Sequence, residues 1–376
     1  MENVSIAFLT SGHSFEDDRI MYHLASTLVR YTPVIISSTE EINTTINGIN
    51  VDCFDGKLVN KKNKISLFAN KLSLYQPSII ICSEPLPVIA ANKYKREQQK
   101  RVSVIYDITE WYPSKKHIES NGLLLKVLKP IFLFLFEKVV SSKVDGFIFG
   151  EYYKSIPYRM LFPFKKFAFV TYYPDLKYVH YSAPNPKEGE ICLGYTGRIS
   201  NEKGINNFFD VVRVVSLQNP DLQIRVKLIG SFKTKQDIVD YERCIVGLEE
   251  VKIELFDFIP FLDFSKAIAD IDILFDLRVD DFENNMCLPI KIFYYLLCGK
   301  PVVYSNLKAI RREVNLDGIG FLVDPSKASD IAQMIYPIIR NRDEYLKYSN
   351  KAREVSLGNY QWGFISGNLN DFIDYL

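Results

Sequence analysis

The stretch ICLGYTGRISNEKGINNFFDVV, residues 191–212, decides the fold class. It begins as a short apolar run and passes through a glycine-containing loop. After the loop, Ile205, Phe208, Phe209 and Val212 form the apolar stripe of an amphipathic helix. Strand, loop and helix in this order are the repeating unit of α/β domains with parallel sheets. The stretch therefore predicts such a domain in the second half of the chain.

Short apolar runs alternate with helical patterns along the rest of the chain. Their nearly continuous Ile, Val and Phe content is typical of strands that are covered on both faces of a sheet. We predict strands over residues 4–9, 34–37, 78–82, 102–106, 145–149, 167–171, 191–196, 222–228, 272–276, 302–305 and 320–323. Helices are predicted over residues 18–30 and 123–142.

A polar stretch with two prolines, YSAPNPKEGE at residues 181–190, interrupts this alternation. Such a composition is typical of a domain boundary, and 376 residues exceed the usual size of one domain. We therefore expect an N-terminal α/β domain over residues 1–180 and a C-terminal one over residues 186–355. The last segment, residues 360–376, is predicted to be a helix that packs back on the first domain.

Composition and short motifs argue against several classes of protein. The formal net charge is +1, which provides no basic field for nucleic acid. The four histidines form no HxxxH or HExxH array, so no metal site is expected. The six cysteines are scattered without a CxxC pair, which suits a reducing cytoplasm. No signal-peptide pattern and no run long enough to span a bilayer is found, and we expect a cytoplasmic protein.

The loop after the strand at 191–196 carries groups that suit a phosphate. Gly194 and Gly197 allow the backbone to come close to a ligand. Arg198 offers a bidentate fork to phosphate oxygens, and Lys203 places a compact charge beside the start of the helix. The alternative is a plain strand–loop–helix turn with two solvated cations. NAD-type and P-loop sites lack their glycine fingerprints in this sequence.

A second segment, LPIKIFYYLLCGKPVV at residues 288–303, predicts a short helix. Pro289 suits its first position and Gly299 the position just after its last. Lys291 is unusual, because a cation in the first turn opposes the helix dipole. An anion bound at the helix N-terminus explains this placement, and an ordinary surface lysine is the alternative. Together with the cations of the preceding loop, Lys291 supports a diphosphate pocket.

The segments at 194–204 and 288–303, followed by GIGFLVDP at 318–325, resemble the donor-binding half of glycosyltransferase family 4. EDDRI at 16–20 resembles the D-x-RI segment that follows the first strand in one branch of that family. The resemblance implies the GT-B fold, in which two Rossmann-like domains with parallel sheets face a central cleft. It also implies a retaining, metal-independent transfer from a UDP- or GDP-sugar, which is a substrate rather than a permanently bound cofactor. In the family, the arginine and lysine of the first segment hold the donor's diphosphate.

The chain departs from the family at two glutamates that are eight positions apart. Met286 and Tyr294 stand at these positions. In the family the second glutamate grips the ribose hydroxyls, and the first lies near the donor sugar. The ribose contact is therefore left to Tyr294 or to an acid in the segment 280–283, and the alternative for Tyr294 is a place in the core. The missing glutamates also favour a rival class, a non-catalytic partner of an active transferase.

Further candidates follow strands of the first domain. Asp107 and Glu110, in the segment YDITEWYP, resemble a family stretch that often has histidine where Thr109 stands. They are predicted to contact the donor sugar or the acceptor hydroxyl, and a helix cap and a solvated acid are the alternative. Gly12 and His13, in the first strand-to-helix loop, are expected to face the same cleft. A lone histidine there is more often structural than catalytic.

The resemblance implies a glycan or lipid-linked acceptor and a role in surface polysaccharide biosynthesis. The segment 115–138 mixes apolar residues with lysines, a pattern that suits peripheral contact with an anionic membrane surface. A helix buried against the first sheet is the plainer account of that segment. A further rival for the whole protein is a GT-B sugar-nucleotide epimerase, which product analysis separates from a transferase.

Overall fold

The computed structural model describes residues 5–110, 114, 118, 123–184 and 187–376. The chain divides into two compact units, Met1–Tyr172 with Gly363–Leu376, and Tyr173–Trp362. Each unit is an α/β domain built on a mainly parallel sheet. Two such domains in series confirm the fold class expected from the alternation of apolar runs and helical patterns.

The first unit contains eight strands among the described residues. They are β1 (Ile6–Thr10), β2 (Val34–Ser37), β3 (Ile42–Ile46), β4 (Ile49–Cys53), β5 (Ile79–Cys82), β6 (Ser103–Ile108), β7 (Gly146–Phe149) and β8 (Lys166–Phe169). They form one sheet in the order β3-β4-β2-β1-β5-β6-β7-β8. All neighbouring strands are parallel except β3 and β4.

The antiparallel pair β3 and β4 is a hairpin that the apolar pattern does not predict. Its turn is Asn47-Gly48, with φ values of 52° and 81°. Both values lie in the left-handed region that a type I′ hairpin turn requires. β3 is polar and largely exposed, so periodicity carries little signal there. The Asn-Gly pair is the local signal for this hairpin.

The helices of the first unit differ in how closely they match the prediction. They are α1 (Asp18–Ala25), α2 (Lys61–Tyr75), α3 (Pro85–Glu97), α4 (Leu123–Ser142) and α5 (Tyr152–Leu161). The predicted helix at 18–30 is shorter in the structure, and α1 is a π-helix. The carboxylate of Asp17 accepts the backbone N–H groups of Arg19 and Ile20 at its start. Among the described residues, no helix combines the length and apolar character needed to cross a bilayer.

The second unit contains six strands among the described residues. They are β9 (Glu190–Thr196), β10 (Gln223–Ile229), β11 (Lys252–Phe256), β12 (Ile273–Asp276), β13 (Val302–Ser305) and β14 (Gly320–Val323). They form one parallel sheet in the order β11-β10-β9-β12-β13-β14. β11 is not predicted by the sequence pattern, because most of its side chains are partly or fully exposed.

The helices of the remaining chain are α6 (Ile205–Gln218), α7 (Lys235–Cys244), α8 (Phe264–Ala267), α9 (Phe282–Asn285), α10 (Lys291–Leu297), α11 (Lys308–Glu313), α12 (Ala328–Arg340), α13 (Arg342–Asn359) and α14 (Trp362–Asp374). The predicted apolar stripe of α6 is buried in the core of the second unit. α14 returns to the first unit, to which residues from Gly363 onward belong. Its Phe372 ring would lie 2.9 Å from a Cβ placed on Gly146 of β7.

The start of α10 corrects one sequence-based expectation. The helix begins at Lys291, so Pro289 precedes it by two residues instead of occupying its first position. The carbonyl of Pro289 accepts the backbone N–H of Ile292 at 3.1 Å and so forms part of the turn into the helix. Gly299 follows the helix with φ 67°, as expected for a C-terminal glycine.

Candidate functional site

The loop between β9 and α6 lies where the strand order of the second sheet changes direction. β9 has β10 on one side and β12 on the other, and all three strands are parallel. Ligands of α/β sheets bind outside the carboxyl ends of strands at such a switch point. Residues 197–204 follow the carboxyl end of β9, and the topology therefore makes this loop a candidate binding site.

Two glycines bring the backbone of this loop against its neighbours. Gly197 has φ 117°, a conformation that favours glycine. A Cβ at this position would lie 2.8 Å from the Lys291 Nζ. A Cβ on Gly230, just after β10, would lie 1.7 Å from the carbonyl oxygen of Gly197. No sequence motif singles out Gly230, and its position directly after a strand is its one local signal.

Arg198 is held by carboxylates of its own unit. Its Nη1 lies 3.4 Å from Glu202 Oε2 and its Nη2 lies 3.3 Å from Asp237 Oδ2. Asp237 also completes a capping box with Thr234 at the start of α7, which fixes the carboxylate. The Arg198 Nε is buried and has no hydrogen-bond partner among the described residues. Because buried donors are normally paired, an anion at this loop would complete the hydrogen bonds of the guanidinium.

Lys203 lies beside the same counter-ion. Its Nζ is 2.9 Å from Glu202 Oε1 and donates to Asn284 Oδ1 at 3.4 Å. Burial raises the pKa of Glu202, but the hydrogen bond and charge of Lys203 and the charge of Arg198 outweigh it and hold the pKa below its usual value. Glu202 is therefore an ionised partner of both cations. Asn284 is buried in α9, and no sequence motif points to it.

Lys291 and Tyr294 lie on α10 but have different surroundings. The Lys291 ammonium lies against the backbone of Gly197, since a Cβ on that glycine would lie 2.8 Å from the Lys291 Nζ. Tyr294 is only 3% exposed. Its ring packs edge-on against Phe261 and Phe264, with centroid distances of 5.9 Å and 6.2 Å. This packing favours a core position for Tyr294 over a contact with ribose.

A second polar cluster lies at the carboxyl ends of β1 and β5, the switch point of the first sheet. Glu84, just after β5, accepts hydrogen bonds from Thr10 Oγ1 at 2.8 Å and from the N–H groups of Ser11 and Gly12, each at 2.9 Å. It holds the loop that carries the predicted residues Gly12 and His13. No sequence motif points to Glu84, because an acid after a strand identifies no partner by itself.

His13 is charged near neutral pH in this cluster. Its Nδ1 lies 2.9 Å from Asp17 Oδ2 and its Nε2 lies 3.7 Å from Glu84 Oε1. Burial alone lowers the pKa of His13, but the hydrogen bond and charge of Asp17 and the charges of Glu84 and Glu110 outweigh it and raise the pKa to about 9. An imidazolium donates hydrogen bonds and carries positive charge, and it does not accept a proton.

The structure corrects the predicted role of Asp107 as a contact for the donor sugar or the acceptor hydroxyl. It is fully buried, and its two oxygens accept hydrogen bonds from Nε and Nη2 of Arg19, each at 2.6 Å. Arg19 Nη1 also donates to the Val170 carbonyl at 2.9 Å, and its guanidinium lies 4.2 Å from the Tyr172 ring centroid. A carboxylate bound in this way is not available to a sugar. Asp107 instead positions the arginine of the D-x-RI segment, and breaking such a buried pair costs about 3–5 kcal/mol.

Glu110 stays a candidate because it is exposed and its charge acts on His13. Thr109, where the family often has histidine, uses its carbonyl to accept Lys154 Nζ at 2.6 Å. Lys154 is also paired with Glu151 at 2.5 Å. The following residues of this segment, 111–113, lie outside the described residues. The structure therefore groups His13 with Glu110 and leaves Asp107 apart.

Metal ligands and thiols add no further site in the described ranges. No three His, Cys, Asp or Glu side chains there are grouped in a way that would hold a metal ion. All six cysteines lie in those ranges as free thiols, and four of them are buried.

Comparisons with known proteins agree with this fold. Residues 190–341 match the family model for glycosyl transferases group 1. No curated protein sequence matches the chain. Sucrose-phosphate synthase from Thermosynechococcus elongatus has 14% identity and a TM-score of 0.74, over 99% of this chain and 98% of that chain. HepE from Anabaena in complex with UDP has 13% identity and a TM-score of 0.72, over 99% and 100%. A variant of TarM from S. aureus, in complex with fondaparinux, α-GlcNAc-glycerol and UDP, has 15% identity and a TM-score of 0.60, over 82% and 58%.

The matched domain covers β9 to α12 and includes the loop with Arg198 and Lys203. The two parallel-sheet domains and the similar structures give the chain the GT-B fold. Fold and matched domain together define the protein as an enzyme of the glycosyltransferase class.

Proposed function

We propose that this protein transfers a glycosyl group from a UDP-linked sugar to a glycan or lipid-linked acceptor, as a retaining, metal-independent enzyme of family 4. The observation that carries the proposal is the group of cations, Arg198, Lys203 and Lys291, around Gly197 at the switch point of the second sheet. UDP is favoured over GDP because HepE was solved with UDP and with UDP-glucose, and TarM with UDP.

The chemistry requires stabilisation of a leaving diphosphate. As the sugar–phosphate bond breaks, negative charge grows on the diphosphate, and the three cations would stabilise it in place. Such preorganised charge stabilisation is often the largest catalytic contribution. In a front-face displacement, the acceptor oxygen bonds to the anomeric carbon while its proton passes to a donor phosphate oxygen. His13 then serves as a hydrogen-bond donor, consistent with its raised pKa, and Glu110 as a contact for sugar or acceptor hydroxyls.

The acceptor that we propose is a polysaccharide or its lipid-linked precursor. The cellular location that we propose for the reaction is the cytoplasmic side of a membrane, in surface polysaccharide biosynthesis. TarM, solved with α-GlcNAc-glycerol and fondaparinux, supports a sugar-containing acceptor. The resemblance of the donor-binding segments to family 4 supports the retaining mechanism.

Thermal unfolding with UDP, GDP and ADP tests the donor site. We expect UDP to raise the melting temperature, because a ligand at about 100 times its Kd stabilises the folded state by about 2.7 kcal/mol. Lys203→Ala should remove most of this shift, since it deletes a charge at the diphosphate. Lys347→Ala is the matched control, because Lys347 is an exposed lysine of α13 in the same unit.

The possible results separate the candidate functions. A UDP shift of equal size in Lys203→Ala and wild type would overturn the site assignment. The absence of a shift with all three nucleotides would favour the non-catalytic partner, since Met286 and Tyr294 would then mark a lost donor site. A UDP shift with a changed sugar nucleotide as product, and no transfer to an acceptor, would identify the epimerase.

A further inference from the structure

The helix α4 carries large apolar side chains that face solvent. The exposed residues recur at intervals of three and four and are 45% to 67% exposed: Leu128, Ile131, Phe132, Phe134, Leu135 and Val139. The plainer expectation, a helix buried against the first sheet, is therefore met by one face of α4 only. Contiguous exposed apolar side chains of this kind mark an interaction surface.

The opposite face of α4 anchors the helix to the first unit. Val140 belongs to the hydrophobic core, and Glu137 and Ser141 are buried beside it. The Glu137 carboxylate accepts Tyr158 Oη at 2.8 Å and Ser141 Oγ at 3.3 Å. At 100° per residue, this face points about half a turn away from Phe132 and Leu135. The helix therefore lies flat on its unit, with a second apolar stripe directed outward.

The charges around the outward stripe have one sign. Lys138 lies beside the stripe and is exposed, and exposed Lys143 directly follows the helix. Lys126 is exposed as well, but at 100° per residue it lies on the side of Glu137. Glu137 is the only acidic residue between positions 123 and 143, and it is buried on the other face. Lys115 and Lys116, also part of the predicted membrane segment, lie outside the described residues.

The apolar surface continues beyond the C-terminal end of α4. Lys165 Nζ donates to the Ser142 carbonyl at 2.8 Å. This contact places the turn at residues 162–165, between α5 and β8, beside the end of α4. Phe164 in this turn is fully exposed, and so is most of Met160 at the end of α5. Exposed apolar side chains therefore lie both along α4 and near its C-terminal end.

We propose that the outward face of α4, Leu128 to Val139 with Lys138 and Lys143, docks on an anionic lipid surface. The apolar stripe enters the boundary between headgroups and acyl chains, and the lysines contact lipid phosphates. A second copy of the chain fits less well, because a two-fold contact through this face brings the same lysines together without a carboxylate to pair them. The docking rests on this surface alone, and its use for a lipid-linked acceptor rests on the proposed function.

Co-sedimentation with vesicles tests the proposal. We use vesicles of phosphatidylcholine with and without phosphatidylglycerol, and expect wild type to bind the anionic vesicles, less so at high salt. The double variant Phe132→Ser/Leu135→Ser should weaken binding about tenfold or more, because it removes apolar area from the interface. Lys138→Gln/Lys143→Gln should weaken binding to anionic vesicles about fivefold for each lysine removed. Phe258→Ser is the matched control, since Phe258 is an exposed aromatic residue of the second unit.

Two results would overturn the docking proposal. The first is wild-type protein that stays in the supernatant with anionic vesicles. Size-exclusion chromatography in which wild type is dimeric and Phe132→Ser/Leu135→Ser is monomeric, without vesicle binding, would assign the face to a second copy. The UDP-induced thermal shift is measured on every variant, so that a failure of donor binding or of folding is distinguished from a failure of lipid docking.

Discussion

At the residue scale, His13 illustrates how partners distant in sequence set the chemistry of a side chain. Burial lowers its pKa, and Asp17 four residues away, Glu84 after β5 and Glu110 after β6 together raise it above the ordinary value. In sequence, a histidine in a strand-to-helix loop carries no such information. The imidazolium, the loop N–H groups and Glu84 form one charge-compensated cluster at the carboxyl ends of two strands.

The raised pKa of His13 predicts a pH-dependent stability. The folded state holds the proton more tightly than the unfolded chain, whose histidine has its ordinary pKa of about 6.5. The resulting stabilisation is complete below that pH and is lost as the pH rises through about 9. An NMR titration of the imidazole protons should give a pKa near 9. Glu84→Gln keeps an oxygen for the loop N–H groups but removes the charge, and it should lower the pKa of His13 measurably.

Glu16→Gln is the control for this titration, because Glu16 is an exposed acid in the same loop and is not among the main charges that act on His13. A wild-type pKa close to 6.5, or the same decrease in Glu16→Gln and Glu84→Gln, would contradict the electrostatic account of the cluster.

At the element scale, the start of α6 depends on a glycine at the N-cap. Gly204 has φ 84°. A Cβ there would lie 2.0 Å from the carbonyl oxygen of Leu277 and 2.6 Å from the N of Arg278. The left-handed conformation and the contact with the chain after β12 together restrict this position to glycine. The helix that borders the proposed diphosphate site is therefore fixed by backbone packing as well as by its apolar stripe.

Gly204→Ala should lower the free energy of unfolding by about 2 kcal/mol or more, because it combines a left-handed non-glycine residue with a clash against backbone. Urea unfolding measures the change. Gly358→Ala in α13 is the matched control, since a Cβ there meets nothing within 4 Å. Because alanine is the better helix former, this control should gain about 0.5–1 kcal/mol. Equal stability of the two variants would contradict the packing argument.

At the scale of the whole molecule, the chain returns to its first unit at the end. Leu369, Phe372 and Ile373 of α14 are buried, and Asp374 accepts hydrogen bonds from Arg30 and Tyr31. The last helix thus completes a domain whose other elements lie some two hundred residues earlier.

Removal of residues 363–376 should destabilise the first unit and leave the second intact. Each of the three buried side chains contributes about 1.5–3 kcal/mol by its burial. Calorimetry should show a lower transition temperature for the first unit, while the transition that UDP shifts keeps its position. A chain that ends at Asp374 is the control. An unchanged thermogram for the chain that lacks residues 363–376 would refute the assignment of α14 to the first unit.

The sequence by itself determined the two α/β domains, most of the strands, the helix α4 and the cationic loop after β9. These features depend on local patterns: continuous apolar runs for buried strands, helical spacing for α6, and glycine, arginine and lysine within one short loop. β3 and β11 were not predicted, because exposed strands have no continuous apolar run. The buried strand β4 was not predicted, because Asn50 and Asp52 interrupt its apolar residues.

Only the tertiary structure decided which polar side chains meet. The burial of Asp107 follows from its pairing with Arg19, 88 positions earlier, and the support of the His13 loop follows from Glu84, more than 70 positions later. The exposure of one face of α4 was also beyond the sequence, which is apolar on both faces of that helix. Parallel strands bring distant loops together at their carboxyl ends, so partnership at such an edge is fixed by strand order, which no local pattern encodes.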